Sequence, residues 1–344
     1  MRKRLFLSVL ISLVMAAGAF FAAFNAEHNR RAEASASAEI AMELQTGTVL
    51  CGNNADIKLP MASTTKIMTA IVIIEDCNLD ETFIVPEKAV GVEGSSIYLK
   101  KDEKISVKDL LYGLMLRSGN DAATALAIHH SGSTEKFAEV MTERAEQYGA
   151  RNTNFKNPSG LPDDEHYTTA RDLCTIACHA MRNSVFKEIV STKNYKGEFR
   201  DYINKNKLLY NFDGANGIKT GYTMKAGRCL VSSAEREGMD VVCVVLNCHD
   251  MYERSAELLN TCFKDYKLLN IDENAVFMSD KVLCKPLKSS CFVVKNVDKM
   301  SFKVVPVENL KKIAQGDFVA KLEIYGENGL IFSENLYSIV DRNN

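Results

Sequence analysis

Ser63 stands three residues ahead of Lys66, and its surroundings give the pair chemical meaning. Pro60 interrupts regular structure just upstream, and the run Ile67–Ile74 is almost wholly apolar. That pattern predicts a buried helix beginning near Thr64. Three helical residues make about one turn, so the Ser63 hydroxyl and the Lys66 amine share a face. The positive end of the helix favours an oxyanion and disfavours a protonated amine beside it. A lysine so placed is expected to have a lowered pKa and to take the proton of a serine nucleophile. Spacing alone would not single out the pair. Ser133–Lys136 and Ser184–Lys187 repeat it among charged neighbours, where a capping serine and a solvated lysine is the plainer reading.

Two further strings follow in order, Ser118-Gly119-Asn120 and Lys219-Thr220-Gly221. The first is common by composition, since Ser333-Glu334-Asn335 also satisfies it; the second is rarer. Their order says more than either string, and the elements around them say most. Residues 39–51 read as a strand hairpin turning near Gln45-Thr46-Gly47. Helical periodicity follows over 64–74, 107–116, 121–128, 135–148 and 170–181. Strands return at 217–221, 228–234 and 241–247, then a helix over 252–268. No alternation of strand and helix of the parallel, doubly wound kind is present. The expected class is α/β (α+β), an antiparallel sheet from both ends of this segment flanked by helices. After Asn270 the pattern changes to short β-rich pieces, at 291–294, 302–305 and 318–325. These predict a small all-β domain.

Around the three strings the chain resembles the serine-type D-alanyl-D-alanine carboxypeptidases, the low-molecular-mass penicillin-binding proteins of the peptidase S11 family. The resemblance rests on residues 41–50 (AMELQTGTVL), Asn54-Ala55-Asp56, Gly94-Ser95-Ser96, Leu110–Leu114 and Arg117–Ala123. It continues through Asn157-Pro158-Ser159-Gly160-Leu161, His166–Asp172 and Gly217–Thr223. It covers residues 39–270 well and the tail more loosely. The resemblance implies a penicillin-recognising catalytic domain over 39–270 and a small β domain over 271–344, the latter a spacer or docking module. It implies Ser63 as nucleophile, Lys66 as proton acceptor and Ser118 as the bridge to the leaving amine. Asn120 would bind the substrate backbone, and Lys219 and Thr220 the terminal carboxylate. Gly221 would leave room for substrate along the strand, while the N–H groups of Ser63 and Tyr222 would form the oxyanion hole. The substrates implied are peptidoglycan stem peptides, with β-lactams as acylating agents. One position departs from the pattern: the region where an arginine is often found reads Leu246-Asn247-Cys248-His249. His249 or Arg254 would substitute there, or neither. Two alternatives stand beside this reading, a serine β-lactamase and a catalytically silent cell-wall-binding protein. Glu165 is the tempting deacylating carboxylate for the former, but Thr169 stands where the usual Glu-x-x-x-Asn pattern needs asparagine.

Composition agrees. Forty-two basic against forty-four acidic residues give a net charge of -2, which argues against a polyanion-binding protein. Tryptophan is absent, so no stacking platform for nucleic acid is suggested. Arg2-Lys3-Arg4 precede an apolar stretch, Leu5–Phe24, and Ala34–Ala38 offers small-x-small cleavage sites. Residues 1–38 therefore read as a signal peptide or a retained N-terminal membrane anchor, and the catalytic part faces outside the cytoplasm. The C-terminal stretch alternates like a strand, so attachment to a bilayer would fall to the N-terminal segment. Ten cysteines show no compact disulfide framework and read as small hydrophobes. Cys174 and Cys178, with His179 beside them, sit in an apolar helical pattern, so buried thiols are favoured over a metal site. No cofactor or metal is expected, and His129, His130, His166 and His179 carry no catalytic pattern.

Overall fold

The computed structural model describes residues 37–343 except 199, 296–298, 309 and 311. The leader or anchor reading therefore lies almost wholly outside the described residues. Among those described, no helix is long and apolar enough to cross a membrane.

The N-terminal hairpin forms as the pattern predicts, from β1 (Ala38–Glu43) and β2 (Val49–Asn53). Three later strands complete the sheet: β3 (Ala215–Thr223), β4 (Gly227–Arg236) and β5 (Met239–Leu246). The order is β2-β1-β5-β4-β3, antiparallel throughout, with Ala38 opposite Leu246 and Lys219 opposite Val231. Chain start and chain middle thus meet at the centre of one sheet, and β3 is left as an edge.

Every residue of β5 is buried, because both faces of the sheet are covered. Its side chains alternate. Val242, Val244 and Leu246 join the main core with helices α1 (Lys66–Asp76) and α5 (Ala170–Arg182). Val241, Cys243 and Val245 face the other way, onto α7 (Met251–Asp265). Helix α1 is buried from Lys66 to Ile73, as its uninterrupted apolar run requires. Around it stand α2 (Val107–Arg117), α3 (Asn120–Ser131), α4 (Thr134–Gln147) and α6 (Ser184–Ser191). The last was not legible as a helix in the sequence. Its Asn183 carboxamide accepts from the Val185 and Phe186 N–H groups and starts it.

One expectation is corrected. The helix expected over 252–268 ends at Asp265, and Tyr266–Ile271 is a strand, β6. Tertiary pairing overrides helical periodicity here: β6 pairs along its length with β7 (Ser290–Lys295), and the Tyr266 hydroxyl donates to Leu50 O at 2.7 Å. The remaining chain is β-rich, with a five-stranded sheet that includes Ser301–Pro306, Phe318–Gly326 and Gly329–Ser338. A separate apolar cluster spanning Ile271 to Leu336 fills it.

All ten cysteines are free thiols, and Cys174 and Cys178 are buried on α5. Ellman titration of the denatured protein is expected to count ten thiols. In the folded protein the half-buried Cys51, Cys77, Cys248 and Cys291 should react ahead of the six buried ones.

Candidate functional site

The turn that carries Ser63 is a short 3₁₀ segment, Ala62–Thr65, running directly into α1. Ala62 adopts φ +47°, a left-handed conformation that an alanine enters at a cost of about 1–2 kcal/mol. Local bonds hold it there. The Thr64 hydroxyl donates to Met61 O at 2.6 Å, and the Thr65 hydroxyl donates to Ala62 O at 2.8 Å. Thr65 in turn accepts from His166 Nε2 at 2.8 Å, while His166 Nδ1 accepts the Lys156 N–H at 3.1 Å. The Lys156 contact fixes the tautomer, because Nδ1 must be unprotonated to accept. Burial pushes His166 down to about 4, with Lys66 adding to the effect and Asp163 opposing it. His166 is thus a buried strut under the serine turn.

Lys66 is fully buried. Its Nζ lies 3.0 Å from Ser63 Oγ, 2.7 Å from Asn120 Oδ1 and 2.6 Å from Ser159 O. No carboxylate touches it among the described residues. Burial first, then the Lys219 charge, holds its pKa well below the ordinary lysine value, and Asp121 opposes this from a distance. Asp121 is itself occupied: it accepts from the Ile97 and Leu99 N–H groups and from the Ser96 hydroxyl. That carboxylate pins the Gly94–Leu99 loop over the site. Asn120 completes the wall, its Nδ2 donating to Glu93 O at 2.6 Å and its backbone N–H to Ser95 O at 2.7 Å.

Ser118 ends α2 in a left-handed conformation, φ +65°, and is buried. Its hydroxyl hydrogen-bonds neither Lys66 nor Lys219, so it is available to a substrate group in the cleft. Lys219 is buried too, with Nζ donating to Thr220 O at 3.0 Å. Burial and then Lys205 lower it to about 7. Thr220 is half-buried, and Tyr222 is 60% exposed at the cleft mouth.

Two glycines allow these segments to meet. A Cβ at Gly221 would stand 3.1 Å from Met61 O, Ser63 N and Thr64 N, so the edge strand lies flush against the serine turn. The absent side chain therefore serves packing within the protein, beside any room it leaves for substrate. Gly160, at φ +85°, is more stringent, since its Cβ would fall 1.9 Å from Ala62 O. Asn157 shapes this loop by accepting from the Ser159, Gly160 and Leu161 N–H groups. The loop presents Ser159 O to Lys66, a contact that spacing did not reveal; a backbone carbonyl leaves no residue-type signal.

The open question about carboxylate recognition narrows. Arg254 is bound by Glu39 and Glu257, and His249 is 84% exposed in its side chain and paired with Asp250. Glu165 sits in a surface ion pair with Lys156 at 3.1 Å.

Two consequences for stability follow. His166 is neutral in the fold and has an ordinary pKa of 6.5 when unfolded, so its contribution is intact above 6.5 and is lost as pH falls toward 4. That loss amounts to about 3 kcal/mol. Melting curves of wild type and His166→Gln should converge as pH drops through this window; parallel curves would contradict the assignment. Gly160→Ala should cost more than about 2 kcal/mol in chemical denaturation, because both φ and the Ala62 carbonyl oppose it.

The chain is similar to known proteins. The peptidase S11 family model, D-alanyl-D-alanine carboxypeptidase, matches residues 24–250. D-alanyl-D-alanine carboxypeptidase DacF of Bacillus subtilis is 34% identical over 280 residues, covering 77% of this chain and 72% of that protein. DacC of Escherichia coli is 34% identical over 279 residues, covering 76% and 70%. The crystal structure of penicillin-binding protein 5 from Haemophilus influenzae superposes with a TM-score of 0.76 at 28% identity, covering 90% of this chain and 98% of that one. These similarities do not favour the β-lactamase alternative. With the family model matching most of its length and relatives a third identical to it, the chain belongs to the peptidase S11 family of D-alanyl-D-alanine carboxypeptidases.

Proposed function

We propose that this protein is a serine carboxypeptidase that removes the terminal D-alanine from peptidoglycan stem peptides, outside the cytoplasm. What supports this most directly is the buried Lys66 amine, 3.0 Å from Ser63 Oγ and without a carboxylate to hold its charge. In its neutral form Lys66 has two N–H groups and one lone pair. The N–H groups suit Asn120 Oδ1 and Ser159 O, which leaves the lone pair for the Ser63 proton.

Ser63 Oγ then attacks the carbonyl carbon of the penultimate D-alanine as its proton passes to Lys66. The oxyanion is held by the N–H groups of Ser63 and Tyr222, on the turn and the edge strand that Gly221 lets approach. Asn120 has a second Nδ2 hydrogen for the substrate backbone. Lys219 and Thr220 take the terminal carboxylate. Ser118, buried at the end of α2, relays the proton from Lys66 to the departing amine. The carbon–nitrogen bond breaks, D-alanine leaves, and water hydrolyses the ester on Ser63. β-Lactams acylate the same hydroxyl, and their ring opening leaves the acyl group attached. The N-terminal segment, as signal or anchor, would deliver the enzyme to the cell wall.

Replacing Ser63 by Ala should abolish D-alanine release and the mass increase caused by penicillin; persistent labelling would refute the nucleophile. Lys66→Gln should lower the acylation rate by about 10²–10⁴-fold. In wild type, kcat/KM should rise with pH as Lys66 loses its proton, well below the range of an ordinary lysine. Penicillin labelling without release of D-alanine from a pentapeptide would instead support the silent-site alternative, and rapid penicillin turnover with the peptide untouched would support a β-lactamase.

A further inference from the structure

Cys51 and Cys262 lie 211 residues apart in the chain, yet their sulfurs stand 3.8 Å from one another. Cys51 is on β2, the outer strand of the central sheet on the side away from β3. Cys262 is on α7, which covers the sheet face opposite α1. Other ties join the same region. The Arg254 guanidinium of α7 donates to both carboxylate oxygens of Glu39 on β1, at 2.8 and 2.6 Å. Tyr266, just past the end of α7, donates to Leu50 O beside Cys51. The hairpin and the helix are thus held together, and the two sulfurs meet between them.

The two thiols differ in a way that suits stepwise oxidation. Cys51 is half-buried, whereas Cys262 is buried. Solvent favours charge on the more exposed sulfur, so Cys51 is the thiolate and Cys262 the donor to it. That bond lowers the Cys51 thiol, with burial and Glu39 opposing and Arg254 assisting. The same bond, then burial, raises Cys262. Cys174 and Cys178 also interact, one turn apart on α5. Both are buried in the main core, where an oxidant has no access.

We infer that Cys51 and Cys262 are a disulfide-forming pair whose bridge fastens the N-terminal hairpin to α7. The oxidant is a small disulfide. The Cys51 thiolate attacks one of its sulfurs and its S–S bond breaks. One thiolate leaves and takes up the proton that Cys51 gave to water. The Cys262 sulfur then displaces the second thiolate from the mixed disulfide and passes its own proton to it. Two protein thiols are oxidised to one bridge, and the small disulfide is reduced to two thiols. Closing the sulfurs from 3.8 Å to a bond of about 2 Å requires rotation of the Cys51 side chain, which an edge strand permits.

The test incubates the reduced full-length protein with oxidised glutathione, then reads intact mass and maps peptides. Wild type should lose the mass of two hydrogen atoms, and its denatured thiol count should fall from ten by two. The peptides that carry Cys51 and Cys262 should be joined. Cys262→Ala should stop at the first step and carry one glutathione on Cys51. Cys51→Ser should gain neither a bridge nor glutathione at Cys262. The bridged protein should melt about 5–10 °C above the reduced one, because the bond closes a long loop. A bridge between other cysteines overturns the inference, as does wild type that keeps glutathione on Cys51 or takes up no oxidant. An unchanged melting midpoint in the bridged protein overturns it too, since the bond would then fasten nothing. Cooperative melting of each variant confirms that it is folded, and the wild-type map decides the matter if one is not. None of these readouts depends on carboxypeptidase activity.

Discussion

An amine sealed from water beside a serine hydroxyl is the interaction on which this structure depends. A lysine in solution is protonated and cannot accept a proton at neutral pH. Full burial at Lys66 disfavours the charge, and Lys219 repels it, while the polar neighbours are a carboxamide oxygen and a main-chain carbonyl. A carboxylate in place of either neighbour would restore the charge and remove the base. The nearby carboxylate, Asp121, is kept to a different task by three donors from the 96–99 segment. The site thus separates the group that needs a negative partner, the loop, from the group that must lack one.

Bringing a buried amine to an accessible hydroxyl requires close approach of main chain from four regions. The serine turn is touched by the Asn157–Leu161 loop at Gly160 and by the edge strand at Gly221. Asn120 is covered by the loop at Gly94, where a Cβ would stand 2.7 Å from the carboxamide nitrogen. Strained residues mark the same places, Ala62 before the serine and Ser118 at the end of its helix. Such conformations persist where surrounding bonds over-determine them. The chain Lys156 N–H, His166, Thr65, Ala62 O supplies that support from below. Stability and reactivity are therefore coupled at one turn, and the central sheet makes it possible by leaving β3 as an exposed edge facing the helices.

The helices and strands were legible where apolar residues ran long enough to require burial. The run after Lys66 and the wholly apolar Val241–Leu246 strand are examples, and both appear near their expected bounds. Short polar elements were not, such as the strand pair Asn194–Lys196 and Asp201–Ile203, because two or three exposed residues carry no period. The end of α7 was misplaced because the residues that pair with Tyr266–Ile271 lie 19 to 29 positions further along the chain. Of the site, residue types with distinctive chemistry were visible: the serine, the lysines and the asparagine. Ser159 O and His166 were not assigned roles, since each acts through a partner more than 80 residues distant.

Residue order alone determined that the Ser63 hydroxyl and the Lys66 amine meet, because a one-turn spacing at the head of an apolar helix places both on one face whatever surrounds them. It also determined the strands at both ends of the first 250 residues, since short apolar runs bounded by turn residues must be buried. Tertiary structure decided the protonation chemistry. Whether an amine is charged depends on what has been excluded from its neighbourhood, and exclusion is a property of the packed whole.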